Sequence, residues 1–281
     1  MERLLLAFLG LALMVCATSP GVTDAPSTDR VAVVTGVSRR AGIGYAIAQR
    51  LLADGLNVVI HSFSAQDEET RDNAGVSEMT AVIEALGGLG PRLAHIDCNL
   101  ADTTAPGRVI VHAIHRFGAV DALIVNHARP GPGSLTELTS EDLDLAWAVN
   151  ARAAVLLVQA YAESHDDTRP DGRVLLFTSG QHLGPMAAEL PYAISKGAIH
   201  QMTQSLADTL AERSITVNAI NPGPVDTGWP SAAQRERLQA AFPAGRWGKP
   251  SDIAPIVSWI VSPDSAWMTG QVVNTEGGFR R

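Results

Sequence analysis

From Arg30 onward, short runs of β-branched and aliphatic residues alternate with longer segments whose apolar positions recur at helical spacing. The short runs are continuous rather than alternating, as befits strands buried on both faces of a parallel sheet. They predict strands at 31–35, 57–61, 92–97, 122–126, 173–178, 216–220 and 271–275. The segments between them predict helices near 43–54, 75–87, 104–117, 140–165, 191–213 and 251–261, with a shorter one near 231–241. This alternation predicts an α/β Rossmann-type fold, a doubly wound parallel sheet with helices on both faces. No repeat, low-complexity stretch or linker divides the chain, so residues 29–281 read as one domain.

Composition narrows the choice. With 46% hydrophobic and 18% charged residues in 281, a well-buried core is expected and general disorder is not. The net charge of −8 and the lack of any Lys/Arg run argue against a nucleic-acid or anionic-membrane partner. The two cysteines, Cys16 and Cys98, have neither disulfide nor metal spacing, and no metal site is expected. Residues 1–28 stand apart. Leu4 to Cys16 is a 13-residue apolar run after Arg3, followed by a Ser/Pro/Gly/Thr stretch. A spanning helix needs about 20 residues, so no stable membrane span is expected. The pattern fits a signal peptide, with Val15 and Ala17 as small residues before a cut. A retained hydrophobic tail, or a start codon placed upstream of a true start near Val22, fits it as well.

Candidate chemistry gathers where predicted strands end. The first strand runs into Thr35-Gly36-Val-Ser-Arg39-Arg40-Ala-Gly42-Ile-Gly44, directly before a helix. A glycine-rich turn there lets backbone N–H groups approach a pyrophosphate at the positive end of the helix dipole. The second strand, NVVIHSF, lacks the terminal Asp or Glu that holds a ribose 2′-hydroxyl in NAD-selective sites; it offers His61, Ser62 and Phe63. With Arg39 and Arg40 in the nearby loop, NADP(H) is favoured over NAD(H). Asp97 or Asn99, after the third strand, is placed to touch an adenine or to cap its own loop. After the fourth, Asn126 reads as a stitch between strands, and His127 as a loop-packing or cofactor-facing residue rather than a base. Asn150 lies among apolar residues and needs buried partners, either a neighbouring carbonyl or a held water.

The stretch SGQHLGPMAAELPYAISK places Ser179, then Tyr192 thirteen residues on, then Lys196 four beyond that. Tyr192 and Lys196 share a helix face. Ketone reduction needs a hydride donor and an acid that protonates the developing alkoxide. An ammonium one turn from a phenol, together with the positive ring of an oxidised nicotinamide, is expected to lower its pKa and make it a usable acid/base.

Taken together, these segments resemble the short-chain dehydrogenases/reductases from about Val31 to Phe279. The matching motifs are TGVSRRAGIG, NHAR at the family's Asn-Asn-Ala-Gly, Asn150, FTSG, YAISK, NAINPGPVDT, RWGKPSDIA and TGQVVNTEGG. The resemblance implies a catalytic tetrad of Asn150, Ser179, Tyr192 and Lys196. It implies cofactor contacts at Gly36, Ser38, Arg39, Arg40, Gly42, Ile43, Gly44, Ser62, Asn99, Leu100 and Asn126. Further contacts are implied at Tyr192, Lys196, Pro222, Gly223, Val225 and Thr227, the last at the nicotinamide carboxamide. The glycine loop is two residues longer than the family's usual form, and Asn221 replaces a smaller residue.

The expected activity is NADP(H)-dependent interconversion of a ketone and a secondary alcohol, with a 3-oxoacyl thioester as one substrate class. The alternative is a non-catalytic NADP(H)-sensing module on the same fold. Trp229, Arg235, Arg237 and Phe242 outline an apolar lid with a basic rim suited to an acidic carrier protein, or a plain cover for a small ketone. Family resemblance also implies a homotetramer or homodimer. The need for a reduced nicotinamide pool favours the cytoplasm, with export through residues 1–28 left open.

Overall fold

The computed structural model describes residues 30–65, 75–169, 171–228 and 232–281. The N-terminal segment 1–28 and Trp229 therefore lie outside the described residues, as does the Arg237 side chain. Seven strands form one all-parallel sheet: β1 Val31–Thr35, β2 Asn57–Ser62, β3 Leu93–Asp97, β4 Ala122–Val125, β5 Gly172–Phe177, β6 Ile215–Asn221 and β7 Val272–Asn274. Their order is β3-β2-β1-β4-β5-β6-β7. The chain winds outward from β1 to β3, then crosses back to lay β4 on the other side of β1. That reversal opens a crevice beyond the carboxyl ends of β1 and β4, where ligands bind in such sheets.

The helices are α1 Ile43–Ala53, α2 Gly75–Ala85, α3 Ala105–Phe117, α4 Ser140–Ala146, α5 Ala153–Ser164, α6 Leu190–Leu210, α7 Ala232–Gln239 and α8 Pro250–Ile260. Strand side chains alternate between two cores. Val33, Val59 and Leu123 pack with α3, α5 and α6, whereas Ala32, Val34 and Ile60 pack with α1, α2 and α8. Both sides are apolar, so the strands carry no polar alternation.

The helix expected at 140–165 is not uniform. Thr139 opens α4 with a reciprocal capping box to Asp142, but Trp147–Arg152 widens into a π-helical turn before α5 resumes. The span Ser140–Ser164 is long and apolar enough to cross a membrane by length and composition, yet half of it is buried inside the fold. Its apolar content is core: Ala151, Ala153, Ala154, Leu157 and Tyr161 are sealed against the sheet and α3.

Candidate active site

Parallel β5 and β6 deliver Ser179 and Pro222-Gly223 to the same edge of the sheet, and α6 returns Tyr192 and Lys196 across β5. Ser179 has an extended backbone and precedes a short 3-10 turn, Gly180–His182. Its side chain stands beside that of Tyr192 and favours the phenolate form. Lys196 is almost fully buried; its Nζ donates to Phe177 O at 2.7 Å and lies 5.8 Å from the Tyr192 ring centroid. The Thr178 hydroxyl and the Gln181 amide both donate to Lys196 O, so the end of β5 and the first turns of α6 are laced together.

A lowered phenol is expected from two cations, the Lys196 ammonium and the ring of an oxidised nicotinamide; the protein groups by themselves run the other way. Burial pushes the Tyr192 phenol up to about 12, against the neighbouring Ser179 hydroxyl, which lowers it. Burial likewise pushes the Lys196 ammonium down to about 7, close to neutrality. Desolvation disfavours each charged form, so the protein environment keeps Tyr192 protonated as an acid.

Asn150 sits in the π-helical turn, a distortion that recurs at functional sites. Its Oδ1 accepts from Arg129 N at 2.7 Å, while its Nδ2 donates to Arg129 O at 3.0 Å and to Ser195 Oγ at 2.9 Å. Ser195 Oγ in turn donates to Tyr192 O at 2.8 Å. Asn150 thus clamps the loop after β4 and, through Ser195, braces the turn carrying Tyr192. Ser195 is a site residue that motif reading passes over, although it stands inside YAISK.

The glycine turn fits a phosphate-bearing cofactor on its own geometry. A Cβ at Gly36 would lie 2.6 Å from His127 Cα, and one at Gly44 would lie 2.5 Å from Gly36 O, so the turn folds only without side chains there. Gly42 begins α1 with no side-chain cap, leaving the helix's first N–H groups uncapped by side chains beside Ser38 and Ile43. Asn126 Nδ2 donates to Thr35 O and Gly36 O, the strand-stitching role predicted for it. His127 Nδ1 pairs with the Thr35 hydroxyl at 2.8 Å and Nε2 with Val149 O at 2.8 Å, a packed loop residue. His61 joins Gly36 N to Cys98 O under the same turn.

Other predicted contacts fall differently. A carboxylate does stand beside the end of β2, supplied by β3: Asp97 Oδ2 accepts from Ser62 Oγ, Ser64 N and Ser64 Oγ. Ser62 is therefore engaged by Asp97. Although burial raises Asp97, hydrogen bonds from Ser64 and Ser62 hold it below the usual carboxylate range. Asn99 caps its own loop through Ala101 N, and the Leu100 side chain is turned into the core, away from any ligand. Arg39 reaches across to donate to Thr227 O at 2.9 Å, tying the glycine turn to the loop after β6, while Arg40 stays exposed. Val225 is buried and bridges to Gly248. The predicted lid is partly core: Phe242 is buried against Trp247 and Phe279. Its basic rim is partly neutralised, since Arg235 pairs with Asp226 at 3.0 Å.

A doubly wound sheet, a side-chain-free turn at its switch point, and a Ser-Tyr-Lys group at the end of β5 define a nucleotide-dependent oxidoreductase. The family model described as enoyl-(acyl carrier protein) reductase matches residues 36–280. Over 256 residues the chain is 34% identical to the uncharacterized oxidoreductase YjdA of Bacillus subtilis (strain 168), covering 91% of this chain and 98% of that one. A short chain dehydrogenase from Burkholderia cenocepacia J2315, solved with NADP, superposes with TM-score 0.79 at 31% identity, covering 90% and 99% of the two chains. A 3-oxoacyl-[acyl-carrier protein] reductase from Brucella melitensis superposes with TM-score 0.76 at 29% identity, covering 89% and 96%. The chain belongs to the short-chain dehydrogenases/reductases.

Proposed function

We propose that this oxidoreductase uses NADP(H) in preference to NAD(H) to interconvert a ketone and a secondary alcohol. The observation that carries the reading is the Ser179 and Tyr192 side chains placed side by side against buried Lys196, whose Nζ lies 5.8 Å from the Tyr192 ring centroid. Bound NADPH supplies the hydride. Ser179 orients the carbonyl oxygen, and Tyr192, protonated at neutral pH, gives its proton as the alkoxide forms. Lys196, held near neutrality by burial, is suited to restoring that proton, and Asn150 keeps the turn of α6 in place. In the oxidative direction the same groups run in reverse.

Preference for NADP(H) is supported by exposed Arg40 at the glycine turn and by the relative solved with NADP. Asp97 bears against it in part, because a carboxylate near a 2′-phosphate is repulsive; its hydrogen bonds from Ser62 and Ser64 soften that repulsion. Within the ketones, a 3-oxoacyl thioester is the class supported by the Brucella relative. We place the activity in the cytoplasm, where reduced nicotinamide is maintained. We further propose assembly into a homodimer or homotetramer through the face carrying exposed Leu145, Trp147 and Ile194.

The test is NADPH oxidation against a panel of ketones that includes a 3-oxoacyl thioester. Tyr192→Phe is expected to lower turnover by a factor on the order of 10² to 10⁴, the contribution of a positioned acid. Unchanged turnover in that variant would remove Tyr192 from the mechanism, and equal use of NADH by wild type would defeat the cofactor preference.

A further inference from the structure

The segment after β7 turns back over the carboxyl ends of β6 and β5 instead of leaving the sheet. Thr275 N and Oγ1 both donate to Asn221 O, at 2.9 and 3.1 Å, which seats the segment beside Pro222-Gly223. The Glu276 backbone then fills the space a side chain at 223 would take: a Cβ on Gly223 would come within 2.8 Å of Glu276 Cα. Its carboxylate accepts from Asn221 Nδ2 at 2.8 Å, and Asn221 Oδ1 closes the turn by accepting from Gly223 N at 3.0 Å.

Arg281 completes the link to the other half of the site. Its Nη1 donates to Glu276 Oε2 at 2.6 Å and its Nη2 to Oε1, a two-point ion pair. The Glu276 side chain is 9% exposed and that of Arg281 28%, so solvent still screens the pair in part and its two-point geometry, more than its charge, sets the position of Arg281. The guanidinium occupies the space over Gly180, the residue directly after Ser179, where any Cβ would strike Nη2. A Cβ on Gly184 would come within 2.5 Å of Arg281 Cδ. Phe279 on Phe242, at 4.9 Å between ring centroids, and Arg280 N on Ala241 O hold the segment from behind.

We propose that Glu276 and Arg281 form a positioning pair that locks the Ser179 turn against the Pro222-Gly223 turn, making the segment after β7 a wall of the substrate site. The inference rests on the reading of Ser179 as the residue that orients the carbonyl. The strands behind the two turns are joined by the backbone bond from Thr178 N to Ile220 O at 2.9 Å, and the pair carries that link forward onto the turns themselves. The pair supplies a rigid bridge in which Asn221 is the near abutment and Gly180 the far one. Because Arg281 sits on the backbone and does not itself touch Tyr192, its loss is expected to act through Ser179 placement and to spare cofactor binding.

The experiment compares wild type with Glu276→Gln, Arg281→Ala, Arg281→Lys and the Glu276→Gln/Arg281→Ala double variant. Each is read by kcat and KM for a ketone, NADPH affinity by fluorescence, and melting temperature. The expected result is a fall in kcat on the order of 10- to 100-fold for Glu276→Gln and Arg281→Ala, as for a small misplacement at a reacting centre, with NADPH affinity unchanged in Arg281→Ala. The double variant should lose no more than the worse single one, since the two residues act as a unit. Arg281→Lys should recover part of the loss. A kcat within about twofold of wild type, or a loss matched by an equal loss of NADPH affinity and melting temperature, overturns the proposal. If wild type reduces no ketone, the proposed activity fails, and amide hydrogen exchange across 179–184 still decides the pair. Faster exchange there in Arg281→Ala supports the bridge, and unchanged exchange overturns it.

Discussion

His61 and His127 sit edge to face, 6.3 Å apart, beneath the glycine turn, each spending both ring nitrogens on the turn or its neighbours. Burial pushes His61 down to about 4 and His127 down to about 3. An unfolded histidine binds its proton near 6.5, so below that pH the unfolded chain takes up protons that the folded chain refuses. Stability contributed by the neutral rings is therefore complete above pH 6.5. It is lost progressively as pH falls through the interval from about 6.5 to about 3. Replacing His127 by Asn, the residue the family pattern carries there, should flatten that acid loss. Melting temperature against pH for wild type and His127→Asn is the measurement; identical slopes below pH 6.5 would show that His127 does not carry the effect. Lys196 obeys the same physics for a function-bearing group: its burial weakens the fold near neutrality and leaves its ammonium close to its titration point.

The π-helical turn is the element on which the site pivots. Inserting it between α4 and α5 turns Asn150 inward between the loop after β4 and α6, where it engages Arg129 and Ser195 at once. Removing that amide strands a backbone N–H and its partners in a dry interior. Each buried polar group left without a partner costs about 1–3 kcal/mol, so Asn150→Ala is expected to lose about 2–4 kcal/mol of unfolding free energy. The urea midpoint checks this, and a shift too small to resolve would mean that water replaces the amide without penalty. Hydropathy spacing at 140–165 reads as one long helix because apolar periodicity barely changes across a single wide turn. The bulge is set by what Asn150 must reach, which lies 21 and 45 residues away in sequence. Element placement was otherwise legible to within about two residues, the usual uncertainty of a helix or strand end.

At the scale of the molecule, exposed large apolar residues are spread over the surface, Val111 and Trp267 among them, and one group of them lies next to the helix that carries Tyr192. Leu145, Trp147 and Ile194 are 36%, 50% and 55% exposed, and a cavity of about 160 Å³ between α4, the π-helical turn and α6 is lined by Leu143, Asp144, Trp147, Pro191, Ile194 and Ser195. Pro191 and Ser195 flank Tyr192, so a second copy seated on this face would press on the helix that carries the acid. On the proposed assembly through this face, Ile194→Asp is expected to lower the oligomer mass that wild type gives in light scattering and to lower turnover with it. A variant that stays assembled would move the interface elsewhere.

Local pattern by itself determined the sheet, its helices, the glycine turn and the Ser179, Tyr192, Lys196 group. Each rests on short-range rules: continuous apolar runs, helical periodicity, and side chains four apart on one face. Only the tertiary structure decided how those groups are tuned and braced. Burial raised Tyr192 and lowered Lys196, β3 brought Asp97 to the end of β2, and the segment after β7 carried Glu276 and Arg281 onto Gly223 and Gly180. Desolvation depends on every neighbour at once, and contacts between residues about 50 to 100 positions apart leave no periodicity to read. The Ser179, Tyr192 and Lys196 group is legible because its spacing is local, and Asn150 joins it only through the family resemblance, whereas the walls around the site are set by the packing of distant parts of the chain.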